Sequence, residues 1–361
     1  MFKSTIAQQT VTSGELNKEY FYSNISFSDI KNLLNSLTKG DILHILYHDN
    51  CQDGMVASYL MDDYFDVNYE SHSCTYKATG VSYNQEPPEI EPGSLVIILD
   101  FSYSPEILNA MATAGNTVVV LDHHVSAIKK IVNYDGFIRF NYILSKERSS
   151  GGDCGSSLVF RFINNITDDE IDFRFYNTPD ANVVWLAREQ DLWLLDGDIK
   201  SDALAFNYGI SALDEEEWSE QSLRIGECLY EYSFIDKTIE SGREILNSSV
   251  EKIQKIILDT PYDASFIIDG VKTTMKCPLL EKKYASLAGS ILSENKPFSI
   301  TFSEVPGGFA YSLRSRRYGM NVSKIANLYG GGGHTHAAGF ISTLTPDELF
   351  ATAKDLGLVS K

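Results

Sequence analysis

Short, continuous apolar runs punctuate the first half of the chain. Residues 42–47, 94–99 and 117–121 are such runs, and the third is β-branched and preceded by Gly115. Each is too short for a helix, and none alternates as a half-solvated strand does, so each reads as a strand buried on both faces. The segments between them suit helices, as over 55–63, and Pro87, Pro88 and Pro92 break the chain before the second run. Strands alternating with helices predict an α/β fold, a doubly wound parallel sheet with both faces covered. In such sheets reactive groups gather at the carboxyl ends of the strands.

Further along, residues 214–257 are charged, helix-compatible and free of proline. They predict a helical linker with one long helix over 234–257. After Pro261 the pattern changes. A strand is expected over 264–268, a helix over 279–294, and a β-hairpin from 298–304 and 309–315 around Val305-Pro306-Gly307-Gly308. A short helix follows over 322–328, and Thr345-Pro346-Asp347-Glu348 opens a last helix. The expected organisation is a catalytic domain at 1–213, a linker at 214–257 and a smaller α+β domain at 258–361. An extra helix is expected over 27–37, and the rest of the first ~35 residues has no assignment.

Composition narrows the class. At 43% hydrophobic and 22% charged, the 361 residues exclude a disordered chain, a collagen-like fibre and a disulfide miniprotein. No apolar run approaches the ~18 residues that span a bilayer. Residues 1–14 are polar and carry no apolar signal core. The five cysteines are odd in number and form no Cys-x-x-Cys pair, which points to a reduced, cytoplasmic setting. Net charge is −19, unsuited to gripping a long polyanion. It is unevenly spread: residues 258–361 carry 11 Lys and Arg against 9 Asp and Glu, the remainder 19 against 40. If phosphates are handled, cations must neutralise the first part and arginines must come from the second. The alternative is acidity that only aids solubility.

The polar residues after the apolar runs carry the chemistry. The first run leads into His48-Asp49-Asn50-Cys51-Gln52-Asp53-Gly54, the second into Asp100-Phe101-Ser102, the third into Asp122-His123-His124. Three neighbouring strand ends bearing Asp or His place imidazoles and carboxylates at one sheet edge. Such a mixed set suits Mn²⁺, Fe²⁺ or Zn²⁺, and its oxygen-rich share favours Mn²⁺. The alternative is unrelated caps and turns. If the strand stays extended, the adjacent histidines face opposite ways, one to a metal and the other to a phosphate or carboxylate. Asp191 taken alone reads as a surface aspartate. In the last domain, Gly330–Gly333 precede His334, and Arg314, Arg316 and Arg317 end the hairpin. Glycine backbone and forked guanidinium donors suit a phosphate. The alternative is a flexible loop beside a solvated basic strand end. Tyr311 or Tyr318 is placed to stack a base, though packing is the commoner role for tyrosines there.

These motifs, in this order across two domains, resemble the DHH phosphoesterase superfamily, named for Asp-His-His. The resemblance rests on His48…Asp53-Gly54, Asp100-Phe101-Ser102, Asp122-His123-His124, the segment Gly152-Asp153-Cys154-Gly155-Ser156-Ser157, Ser312-Leu313-Arg314-Ser315 and Gly331-Gly332-Gly333-His334 with Ala337-Ala338-Gly339-Phe340. It implies a phosphoesterase with two Mn²⁺ ions, Mg²⁺ or Co²⁺ substituting, and an active site between the domains. The implied ligands are His48 and Asp100 for one ion, and Asp53, Asp100, His123 and Asp191 for the other. His124 would meet the scissile phosphate, with Asp122 orienting its neighbour. Arg314, Ser315, Gly331, Gly332, Gly333 and His334 would bind substrate. The first motif departs from the family pattern, with Cys51 where an aspartate is usual. Either Asp49 substitutes, or that site is weaker, or it prefers another metal.

The function expected is hydrolysis of short phosphodiesters, namely short oligonucleotides or dinucleotides, to mononucleotides. The alternatives are a phosphomonoesterase or pyrophosphatase acting on a 3′,5′-bisphosphonucleotide or pyrophosphate, and a catalytically weak nucleotide-binding regulator. No membrane and no long nucleic acid are expected as partners, and a homodimer stays open.

Overall fold

The three apolar runs form the centre of one sheet. The computed structural model describes residues 16–49, 51–69, 74–83, 85–146, 152–167, 171–173, 176–194, 201–212, 218–316 and 319–357. Asn50, Arg317 and Tyr318, named above, lie outside these.

Strand β1 (Phe21–Ser23) and helix α1 (Phe27–Asn35) come first, followed by β2 (Ile42–His48), α2 (Gln52–Asn68) and β3 (Thr75–Val81). Then come β4 (Leu95–Leu99), α3 (Pro105–Thr113), β5 (Thr117–Asp122), α4 (Val125–Val132), β6 (Asn141–Ser145), α5 (Gly155–Asn164) and α6 (Pro179–Asp191). The sheet order is β1-β6-β5-β4-β2-β3. Strands β3, β2, β4, β5 and β6 are parallel, and β1 adds an antiparallel edge. The chain leaves β2 for β3 and then returns to β4 on its other side. The ends of β2 and β4 therefore flank a topological switch point, where α/β sheets form their binding crevice. All five β4 residues are buried, as a continuous apolar run requires. The expected helix near the N-terminus is present and starts at a Ser26–Asp29 capping box.

Helices α7 (Asp202–Ser211), α8 (Trp218–Tyr230) and α9 (Tyr232–Asp259) follow. The C-terminal elements are β7 (Asp263–Ile268), β8 (Val271–Lys276), α10 (Ala285–Leu292), β9 (Ser299–Val305), β10 (Gly308–Arg314), α11 (Val322–Leu328), β11 (Gly332–Gly333), β12 (Ala337–Ser342), α12 (Pro346–Leu349) and β13 (Lys354–Asp355). They form an antiparallel sheet, β11-β12-β10-β9, and a three-stranded one, β13-β7-β8. Helix 279–294 of the sequence reading is shorter in the structure. Leu280 N–H donates to Phe302 O at 2.9 Å and Phe302 N–H to Pro278 O at 3.1 Å, so residues 278–280 extend along β9 before a 3-10 turn and α10. The final helix has its Thr345–Glu348 capping box but runs only one turn.

The chain divides into two compact units, Met1–Leu192 with Leu213–Lys237, and Trp193–Ala212 with Thr238–Lys361. Helix α9 passes from the first into the second. Within the second unit, α7 and α9 touch at glycines: a Cβ on Gly242 would lie 1.8 Å from Ala205 O, and one on Gly209 2.2 Å from Thr238 O. The core of that unit is Phe266, Phe298, Ile300, Phe302, Tyr311 and neighbours. Tyr311 is 1% exposed, stacked at 4.8 Å on Phe340, so it packs the core and meets no base. No helix among the described residues is long and apolar enough to cross a membrane.

Candidate metal centre

Parallel pairing puts the carboxyl ends of β2, β4 and β5 side by side, and with them His48, Asp100 and the pair His123 and His124. Asp100 directly follows β4 and has φ +56°, a left-handed conformation costly for a side chain with a Cβ. Its N–H donates to Leu121 O at 2.9 Å. Gly155 opens α5 against it, and a Cβ there would lie 2.3 Å from the Asp100 Cβ. The strained backbone and the glycine together turn the Asp100 carboxylate inward. Likewise Gly54 lets α2 start against β2, since a Cβ there would lie 2.3 Å from His48 O.

Asp100 is fully buried. Its Oδ1 lies 3.1 Å from His123 Nε2 and 3.9 Å from His124 Nδ1, and its Oδ2 lies 3.4 Å from His48 Nδ1. His123 Nε2 is also 3.3 Å from Asp191 Oδ2 and 4.0 Å from Asp53 Oδ2. Donor atoms within 4.8 Å of one another form three overlapping groups: His48–Cys51–Asp100, Asp100–His123–His124 and Asp53–His123–Asp191. Strand β5 ends at Asp122, so the two histidines are not on extended strand. Instead of facing opposite ways, both rings approach Asp100, with centroids 4.6 Å apart.

The polar atoms at the centre point to cations. Both Asp100 carboxylate oxygens, His48 Nδ1 and Asp191 Oδ2 are buried without a hydrogen bond. Buried carboxylate oxygens are normally satisfied, and clusters of such atoms signal an ion. The set of imidazoles and carboxylates, with one thiol, fits divalent transition metals.

The surrounding groups are held firmly. Asp53 accepts from Gly155 N–H at 2.5 Å, Ser156 N–H at 2.9 Å and the Ser156 hydroxyl, at the N-terminus of α5. That helix start is anchored by buried Arg161, whose Nε donates to Asp153 Oδ1 at 2.9 Å. Asp122 Oδ1 accepts the N–H groups of His123 and His124 at 2.7 and 3.1 Å and lies 2.8 Å from His124 Nδ1. The Tyr83 ring stands edge-on to His48 at 5.4 Å and to His124 at 6.0 Å.

Burial and the charges of Asp100 and Asp191 push Asp53 up to about 7. Burial also raises Asp191. Burial opposes charge on His123, but Asp191, Asp100 and Asp53 outweigh it and hold the ring up at about 10. Burial disfavours the charged form of Asp100 as well, yet the histidines keep its carboxyl well below the usual range. Burial and the three carboxylates raise the Cys51 thiol.

In the second unit, Arg314 ends β10. Its guanidinium donates to Ser286 Oγ at 2.6 Å and to Leu313 O at 2.8 Å and lies 5.5 Å over the Trp193 ring. Its Nε is buried without a hydrogen bond, and burial brings the group down to about 10. Ser315 Oγ lies 3.0 Å from His336 Nδ1. The glycine run departs from the expected anion cradle. Gly330, Gly331 and His334 N–H groups donate to Asn327 O, Ala326 O and Ala337 O, and Gly332–Gly333 pair with β12. The glycines are needed for a tight hairpin: Gly330 and Gly333 have φ +80° and +138°, and a Cβ on Gly331 would lie 2.1 Å from Gly339 O.

The structure thus brings together His48, Cys51, Asp53, Asp100, Asp122, His123, His124 and Asp191. Asp49 stands apart: it belongs to none of the three groups, and its carboxylate lies against Gly80 on β3. Sequence reasoning missed Tyr83, Trp193, Ser286 and His336. The segment Gly152-Asp153-Cys154-Gly155-Ser156-Ser157, one of the motifs that carry the resemblance, opens α5 and supplies the N–H groups that hold Asp53.

No family model matches the chain. It is 25% identical over 308 residues to the uncharacterized protein R106 of Acanthamoeba polyphaga mimivirus. That match covers 82% of this chain and 66% of the viral protein, just under two thirds of its length. The chain shares its fold with an exopolyphosphatase-related protein from Bacteroides fragilis, at a TM-score of 0.50 and 14% identity over 89% of this chain and 92% of that one. It is similar also to RecJ in complex with Mn²⁺ from Thermus thermophilus, at a TM-score of 0.51 and 11% identity over 96% of this chain and 55% of that one. At these identities the likeness concerns the fold.

Proposed function

We propose that this chain, whose fold is that of the DHH phosphoesterases, is a metal-dependent phosphoesterase that hydrolyses short oligonucleotides or dinucleotides to mononucleotides. The observation that carries the reading is the buried Asp100 carboxylate. Its two oxygens lack hydrogen bonds and are ringed by three imidazoles. His48, Cys51 and Asp100 would hold one ion, and Asp53, Asp100, His123 and Asp191 a second, with Asp100 shared. Two such ions supply an activated water and stabilise the attacking and leaving oxygens of a phosphoryl displacement.

The chain's own residues do the rest. Asp122 orients the His124 ring through Nδ1. Burial opposes the charged form of His124, but Asp122 outweighs it and raises the ring, which favours a donor role toward a phosphate oxygen. Arg314, braced by Ser286 and Trp193, offers its remaining donors to a substrate phosphate. A net charge of −19 disfavours long nucleic acid and supports the small substrate.

The test is turnover with Mn²⁺ of a dinucleotide, a pentaribonucleotide, a long single-stranded RNA, a cyclic dinucleotide, a 3′,5′-bisphosphonucleotide and pyrophosphate. Release of mononucleotides from the short RNAs, lost in His123→Ala, is expected. Turnover confined to the bisphosphonucleotide or pyrophosphate would replace the proposed substrate with a small phosphate.

A further inference from the structure

The geometry points to two chemically different cation subsites, the first of which is completed by the Cys51 thiolate and selects Zn²⁺, Fe²⁺ or Co²⁺ over Mn²⁺. This rests on the reading of a metal centre above and adds which metal one half of it takes.

Cys51, His48 and Asp100 each offer a donor atom within 4.8 Å of the other two. With bonds of about 2.0–2.3 Å to nitrogen, oxygen and sulfur, donors on one ion lie within about 4.6 Å of each other; His48 Nδ1 and Asp100 Oδ2, 3.4 Å apart, meet this, and a few tenths of an ångström of movement brings any donor at the 4.8 Å limit within it. Two of the donors are independently marked: His48 Nδ1 and both Asp100 oxygens are buried and have no hydrogen bond. Cys51 is the N-cap of α2 without a regular side-chain cap bond, and the Gly54 N–H that faces its sulfur favours the thiolate. Asp49 does not supply an oxygen in its place, since its carboxylate lies against Gly80.

The second group, Asp53–His123–Asp191, contains only nitrogen and oxygen donors. It suits harder ions. A sulfur donor shifts the first group toward softer ones, and a bound cation takes a thiol as its thiolate, releasing the proton to solvent.

Co²⁺ titration of the full chain, followed by absorption spectroscopy, tests this. The near-ultraviolet thiolate-to-cobalt charge-transfer band should appear in the wild type and in Cys74→Ser, and be lost in both Cys51→Ser and Cys51→Asp, while visible d–d bands persist in all four. In competition, Zn²⁺ should abolish the charge-transfer band at lower concentration than Mn²⁺. Cobalt d–d bands without a charge-transfer band, or a band that survives both Cys51 variants, would overturn the thiolate assignment and leave the metal centre standing. No cobalt bound would overturn both.

Discussion

At the scale of single residues, the centre depends on protons as much as on position. A metal on His123 Nε2 must displace the proton that three carboxylates hold there, with the ring held up at about 10. Asp53, pushed up to about 7, must also be ionised to bind. Both groups bind protons that a cation expels, so metal affinity rises with pH. For the ion held by Asp53, His123 and Asp191, the expected gain between pH 7 and 9 is about tenfold per unit, for one proton, and it steepens below pH 7 as Asp53 joins. Calorimetry in buffers of differing ionisation enthalpy counts these protons, and a pH-independent affinity would contradict the assignment of both ligands. Asp122→Asn keeps the shape but removes the charge and one acceptor. It should lower turnover by about 10–100-fold with metal stoichiometry intact, as for partners that orient a ligand or acid. Gly155→Ala forces a methyl onto Asp100, 2.3 Å from its Cβ, and should cost about 1–3 kcal/mol in urea unfolding along with metal affinity.

At the scale of elements, what could be read in the sequence follows from periodicity. Continuous apolar runs are unambiguous, so β2, β4 and β5 and the residues after them were legible. Residues 141–145 and 75–81 were not, because their burial comes from neighbours rather than from an apolar run: β3 is largely half-buried at the sheet edge. Strand β8 left a signal that went unused, the Asp269-Gly270 pair with both φ values positive, +50° and +76°, which is a hairpin turn. Asp191 could not be placed from its own surroundings, since it ends α6 and meets His123 only through the fold. The glycine run forms a tight hairpin, a role that consecutive glycines suit as well as an anion loop. Helix contacts give a further prediction. Gly242→Ala should destabilise by about 1–3 kcal/mol, because its Cβ would strike Ala205 O. Gly226→Ala, also helical, meets only the Tyr59 ring at 3.4 Å and should be neutral or stabilising by up to about 1 kcal/mol. Chemical denaturation of the two variants separates them.

At the scale of the whole molecule, the acidic excess before residue 258 and the near balance after it give cations and arginines separate tasks. Cations at the proposed centre would neutralise the carboxylate cluster of the first unit, so they should also stabilise it. At a hundredfold excess over the dissociation constant, a bound ion adds about 2.7 kcal/mol, and a chelator should lower the melting temperature accordingly. The most direct check of the central claim is pentaribonucleotide hydrolysis by the full chain with Mn²⁺, alongside a chelator and His123→Ala. Mononucleotide release abolished by both the chelator and the substitution is the predicted result. Undiminished release by His123→Ala, or intact pentanucleotide with metal demonstrably bound, would contradict it.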